Sequence, residues 1–323
     1  MKRIELLLLL CALIAAVPSY AQNYPTRPVR MISPNPPGGA NDTIGRIIAN
    51  KLTEILGQQM VIDNRGGAGG MIGAEIAAKA NRDGYTLLAA SSASHTFAPL
   101  IYRKIPYDPV KDFTPVSLFA IAQNLLVANP SMPVKSLNDI VAFAKSKPRA
   151  LNYSSAGTGS NSHIAVAMFV QLAGIRDITV HIPYKGGGPA LAATAAGEAH
   201  INFGPMPGMV SLVKAGRLRA IAVGGKSRSA ALPDVPTAAE SGLPGYESGS
   251  WFGLMGPAKL PQPVVAHLHK AVVKTVQSTE VAQKLVALGV DPVHSSPEEL
   301  GRYVSAQIER QRPIVQEMGL RAD

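Results

Sequence analysis

Val29-Arg30-Met31-Ile32-Ser33, then the run Asn41 to Leu56, then Met60-Val61-Ile62-Asp63 decide the fold class. The outer segments are short and apolar, as strands are. The middle one places Ile44, Ile47, Ile48, Leu52, Ile55 and Leu56 on one helical stripe and ends at Gly57. A Gly-rich loop, a helix predicted over Met71 to Ala80 and a strand over Thr86 to Ala90 continue the alternation. Strand-helix-strand repetition implies α/β architecture, a parallel sheet covered by helices. The pattern restarts near Leu125. Strands are predicted at 125–128, 151–154, 179–183, 201–203 and 218–223, with helices at 137–145, 162–173, 189–197 and 208–215. A Pro-rich passage follows Arg228, and helices are predicted at 263–277, 281–288 and 297–310. Two α/β units with a helical return predict a two-lobed molecule whose chain crosses between lobes more than once.

Composition narrows the function classes. One Cys in 323 residues rules out a disulfide-built fold, and a hydrophobic share of 46% rules out intrinsic disorder. The net charge of +10 is spread along the chain, and only 5% of residues are aromatic, so a stacking platform for nucleic acid is poorly supplied. A diffuse basic surface suits small anions instead. At the start of the chain, Lys2 and Arg3 precede an apolar run from Leu6 to Val17 and the small-residue pattern Ser19-Tyr20-Ala21. This reads as a secretory signal over residues 1–21, cleaved after Ala21, since a membrane span needs about 20 apolar residues. The expected location is the periplasm. Cleavage would remove Lys2, Arg3, Glu5 and Cys11 and leave a net charge of +9.

Ligands of parallel sheets bind beyond the carboxyl ends of the strands. Four loops there are Gly-rich: Pro34 to Asp42, Asn64 to Gly70, Ser154 to His163 and Tyr184 to Pro189. Glycine lets backbone N–H groups approach a ligand, and a helix N-terminus adds partial positive charge, so these loops suit an anion.

Several motifs in fixed order resemble the Bug family, the substrate-binding proteins of tripartite tricarboxylate transporters. They are Pro37-Gly38-Gly39 with Asp42 and Arg46, Asn64 to Gly70, Asp83 to Leu88, and Ala156 to Ser160 with His163. Pro183-Tyr184-Lys185-Gly186, Leu232 to Thr237 with Glu240, and Pro244-Gly245-Tyr246 with Trp251-Phe252-Gly253 extend the resemblance over the chain beyond the leader. It implies a type II-like periplasmic binding protein, monomeric, that closes two lobes on a small carboxylate and needs no cofactor. It also implies delivery to the transporter's membrane subunits. An orphan ligand sensor presenting its closed form to a membrane sensor kinase is the alternative.

By position, the resemblance implies first-lobe contacts at Pro37, Gly38, Gly39, Ala40, Gly67, Ala68, Gly69, Gly70, Ser91 and Ser92. Second-lobe contacts would be Gly157, Thr158, Gly159, Ser160, Tyr184 and Gly186. The lobes are expected over 24–121 plus 226–323 and over 122–225. Ala193 and His200 depart from the family pattern, which more often carries acidic residues there, so the cleft is expected to be less charged than usual.

Enzyme readings fare worse. Ser160 and His163 have nucleophile and base chemistry, but their spacing fits one helix face and no G-x-S-x-G elbow surrounds the serine. Gly67, Gly69 and Gly73 miss the dinucleotide-binding spacing, and Ala220 stands where a P-loop ending at Gly225-Lys226-Ser227 needs its first Gly, so a phosphate- or nucleotide-binding enzyme is disfavoured. His267 and His269 lie two apart on a predicted helix and face different ways, a poor metal pair. No catalytic residue and no metal site is expected.

Overall fold

A computed structural model describes residues 24–321, so the expected leader lies outside the described residues. The amphipathic stripe forms α1 (Ala40–Leu56) between β1 (Val29–Ser33) and β2 (Met60–Asn64). Gly57 ends α1 at φ 68°, donating its N–H to Thr53 O, a left-handed cap that glycine adopts without strain. α2 (Met71–Ala78) leads to β3 (Thr86–Ser91), and β1 pairs in parallel with both β2 and β3. After β3 the chain winds through a wide helical turn at Ala93–Phe97 into the short α3 (Ala98–Ile101), which the sequence reading did not anticipate.

β4 (Phe113–Ala128) is one strand of 16 residues, where the apolar pattern predicted only 125–128. Pro115 hides the first half from the sequence, because proline argues against a central strand. The strand accommodates it with a register shift between Pro115 and Ser117 against its neighbour β9 (Gly249–Pro257). β9 was also unexpected: no strand was predicted there, and Gly253 and Gly256 interrupt its apolar run. Both are close-packing positions, since a Cβ on Gly253 would stand 3.1 Å from Ser117 O and one on Gly256 would meet the Leu260 side chain.

The second unit comprises α4 (Leu137–Ser146), β5 (Leu151–Ser155), α5 (Asn161–Leu172), β6 (Thr179–Pro183), α6 (Gly187–Ala196), β7 (Ile201–Pro205), α7 (Val210–Lys214) and β8 (Arg219–Val223). The predicted cap of α4 is present as a capping box between Ser136 and Asp139. The C-terminal return is α8 (Gln262–Gln277), α9 (Thr279–Val286), β10 (Val290–Pro292) and α10 (Pro297–Glu317).

Hydrogen-bonded neighbours run β2-β1-β3-β9-β4-β7-β5-β6, with β8 and β10 also on β4. Residues 113–123 of β4 pair with β9, and 124–128 pair with β7, all antiparallel. The sheet is therefore mixed, not purely parallel, because β9 runs against β3 and β4, and β4 runs against β7, β8 and β10. The fold is two-lobed. One core packs α1 against α8 through Ile44, Ile48, Leu52, Leu268 and Val272, and another holds Leu126, Phe169, Ile201 and Phe203. Among the described residues, no helix is long and apolar enough to cross a membrane.

Three segments run side by side where β4 passes from one set of partners to the other. Gly224 donates to Asn124 O at 2.7 Å and Ser248 donates to Gly224 O at 2.8 Å. A Cβ on Gly249 would stand 2.9 Å from Ala122 O, a backbone atom that cannot swing away, whereas one on Gly225 would meet only the Gln123 side chain. Gly249→Ala is expected to cost about 1–3 kcal/mol of stability in denaturant unfolding, and Gly225→Ala distinctly less. Equal midpoints for the two variants would contradict this packing.

Candidate functional site

Two cavities lie between the lobes and share Asn35, Ala156 and Ser160 in their walls. The inner one has a volume of about 70 Å³. Gly39, Ala40 and Asn41 border it from the start of α1, Ser160, Asn161 and Ser162 from the start of α5, and Gly187 from the start of α6. Three helix N-termini thus converge on one small space, each bringing N–H groups with no partner inside the helix. Ser91, Asn202, Gly204, Ser250 and Phe252 complete much of the wall, and among the described residues no charged side chain lines it.

The outer cavity, about 540 Å³, is bordered by Pro37 and by Gly67, Ala68, Gly69 and Gly70 from the first lobe. Gly157, Thr158, Tyr184 and Gly186 border it from the second, and among the described residues Lys185 is its one charged lining side chain. The predicted residues therefore divide between the cavities: Gly39, Ala40 and Ser91 at the inner one, Ser160 at both, and the rest just named at the outer one. Gly38 and Gly159 border neither, and Ser92 lines a third cavity on the far side of Asn161. The reading of the sequence missed Asn202, Ser250 and Phe252, which sit in strands, where a polar or aromatic residue looks like ordinary alternation.

Local bonds explain why the loops hold their shape. Asp42, 4% exposed, accepts from Gly38 N–H at 3.0 Å and from Asn64 Nδ2 at 2.9 Å, and pairs with Arg46 at 2.9 Å. Burial alone would raise its pKa, but the bonds from Arg46, Gly38 and Asn64 together hold it below the ordinary carboxylate value. Asp42 thus ties the first Gly-rich loop to the second. Ser160 caps α5 by accepting from His163 N–H at 3.3 Å, and Ser162 Oγ accepts from Ala156 N–H at 2.9 Å. Tyr184 directs its hydroxyl to Glu198 at 3.4 Å.

His163 carries no nucleophile-base pairing with Ser160 Oγ. Its Nδ1 accepts from Gly159 N–H at 3.2 Å, and its ring stacks on His181 with centroids 4.3 Å apart. His181 Nε2 in turn bonds Ser155 Oγ at 2.6 Å. The two rings buttress the Gly157–Gly159 loop from behind. Ala193 is buried yet borders neither cavity, and His200 Nδ1 accepts from Asn152 N–H at 3.0 Å, so both departures from the family pattern lie outside the cavity walls. Among the described residues no group of His, Cys, Asp and Glu could hold a metal.

The lobes touch through the backbone of their glycine loops, through Tyr102, and through an apolar cluster in which Phe97 and Ile101 meet Ile164 and Ala167. Tyr102 Oη donates to Thr158 O at 3.0 Å, and a Cβ on Gly188 would stand 2.8 Å from Pro37 O. Residues 44–320 match the family described as tripartite tricarboxylate transporter family receptor. The chain belongs to that family. Protein BugT of Bordetella pertussis is 35% identical over 94% of this chain and 93% of its own length. An R. palustris protein solved with adipate superposes with a TM-score of 0.89 at 36% identity, covering 92% of this chain and 99% of that one. MatC from Rhodopseudomonas palustris, solved with bound malate, gives 0.86 at 33% identity, covering 90% and 100%. Periplasmic binding protein BugD gives 0.89 at 29%, covering 93% and 100%. This family consists of periplasmic solute-binding proteins, not enzymes.

Two outcomes are expected. Gly188 lies in the first turn of α6 with no left-handed φ, so Gly188→Ala suits its own helix and collides only with the opposite lobe. It should hold or raise stability by about 0.4–1 kcal/mol while keeping the lobes apart, seen as a larger radius in small-angle scattering. A variant as closed as the parent would refute the contact.

The second concerns acid. Burial pushes His95 and His163 down to about 3 and His181 to about 4, from an ordinary 6.5. The unfolded chain then takes up protons that the native state refuses, so their contribution is complete above about pH 6.5 and is lost as pH falls towards 3. The melting temperature should decline across that window, and a flat profile would contradict the neutral burial of these rings.

Proposed function

We propose that this protein captures a small carboxylate between its lobes and delivers it to the membrane subunits of a tripartite tricarboxylate transporter. The observation that carries the reading is the convergence of the N-termini of α1, α5 and α6 on an inner cavity with no charged lining side chain. Backbone N–H groups at helix starts hold an anion without a paired cation. A carboxylate end would enter the inner cavity while the remainder of the ligand extends into the outer one beside Lys185. The adipate and malate seen in two solved relatives have this chemistry.

The moving parts in this reading are the expected lobes of 24–121 plus 226–323 and of 122–225, except that 226–247 go with the second lobe, since Ala238, Leu243 and Tyr246 share its core with Leu126, Phe169 and Phe203; they turn about the three-segment crossing beside Asn124. Ligand that touches both lobes interacts more strongly with the closed form and shifts the population towards it. The contact residues proposed are the predicted ones that border the two cavities, joined by Asn35, Asn161 and Asn202.

A thermal-shift screen of small mono- and dicarboxylates against their amides, sugars and nucleotides tests this. A ligand at a hundred times its Kd adds about 2.7 kcal/mol, which corresponds to a rise of roughly 5–10 °C for a chain of this size. A carboxylate is expected to win. An amide outperforming its acid, or a shift with nucleotides alone, would overturn the reading.

A further inference from the structure

Asn202 lies in β7, is 2% exposed, and borders the inner cavity. Its amide is locked by a chain of bonds with one possible direction. Thr194 Oγ1 donates to Ala190 O at 2.9 Å, so its proton is committed. The 2.7 Å bond between Ser154 Oγ and Thr194 Oγ1 must then be donated by the serine. Ser154 Oγ is left as an acceptor, and Asn202 Nδ2 donates to it at 2.7 Å and to Ser154 O at 3.1 Å. A flipped amide would set its oxygen against two acceptors. Asn202 Oδ1 is therefore the atom left over, buried and without a partner among the described residues.

A buried carbonyl oxygen without a donor is costly, and a bound ligand that supplies the donor recovers that cost. Residue 204 has to be glycine beside this oxygen: a Cβ there would stand 3.1 Å from Oδ1 and 2.9 Å from Ser162 Cβ, taking the space on the side of the amide where a donor would approach. The donor should be neutral. Among the described residues no carboxylate lines this cavity, and three helix N-termini bring positive partial charge to it, which opposes an ammonium group.

We infer that the ligand carries a neutral hydrogen-bond donor, a hydroxyl or an amide or ring N–H, beside the carboxylate held in the inner cavity, and that Asn202 Oδ1 receives it. This rests on the carboxylate reading above and adds a selection among carboxylates: a hydroxylated acid binds more tightly than its plain parent.

The test is titration calorimetry on the mature protein with matched sets: succinate, malate and aspartate; glutarate, 2-hydroxyglutarate and glutamate; adipate, 2-hydroxyadipate and 2-aminoadipate. At least one hydroxy acid is expected to bind about tenfold or more tightly than its parent and than its amino counterpart. In Asn202→Leu, checked for folding by its melting transition, hydroxy acid and parent should bind equally. The comparison on the unsubstituted protein decides even if that variant does not fold. Parents binding as well as hydroxy acids would overturn the inference, meaning that water satisfies Oδ1, and would leave the carboxylate reading intact. An amino acid binding tightest, or a hydroxyl preference that survives in folded Asn202→Leu, would overturn it as well. If none of the nine binds, both readings fall.

Discussion

Everything in this fold takes its place from the ladder of β4. One strand 16 residues long is hydrogen-bonded to β9 and β10 along its first part and to β7 and β8 along its last. Backbone bonds leave little freedom in register, since a slip of one residue would turn every buried side chain to the wrong face. Ala120, Ala122, Leu126 and Ala128 are fully buried, so that penalty would be felt in both lobes. The strand therefore holds two cores in a fixed relation while letting the segments beside Asn124 act as the place where they part. Gly224 and Gly249 keep those segments close enough to bond.

The inner cavity follows from that placement. Strands β1, β5 and β6 end on the same cleft, and the helices after them begin there, so their dipoles add without any lysine or arginine in the wall. Asp42 illustrates the same economy. Its charge is spent on Gly38, Arg46 and Asn64, which shape the loop, and it does not border the inner cavity.

Legibility in the sequence followed from how local the signal was. The α1 stripe is visible because six apolar residues repeat at helical spacing, and the strands that flank it are short, apolar and bounded by turns. The first half of β4 and all of β9 were not visible, because Pro115, Gly253 and Gly256 have the composition of loops and become strand residues only through neighbours far along the chain. The loops that border the cavities could be named from the glycine-rich turns that follow strands. Asn202 could not, since its meaning depends on Ser154 and Thr194, 48 and 8 positions away. Ala193 shows the opposite error, a family position with an expected role in the cleft that packs away from both cavities.

The touching rims of the lobes, Pro36 to Gly39 against Gly186 to Gly188, consist of glycine and proline. Such residues have no rotamers to freeze, whereas a long side chain ordered at a contact forfeits about 0.5–1.5 kcal/mol. Closing these rims therefore sacrifices almost no side-chain entropy, and opening them regains almost none. The energetic difference between the two states then lies in the ligand and in the side-chain contacts elsewhere between the lobes, Tyr102 on Thr158 and Phe97 and Ile101 beside Ile164.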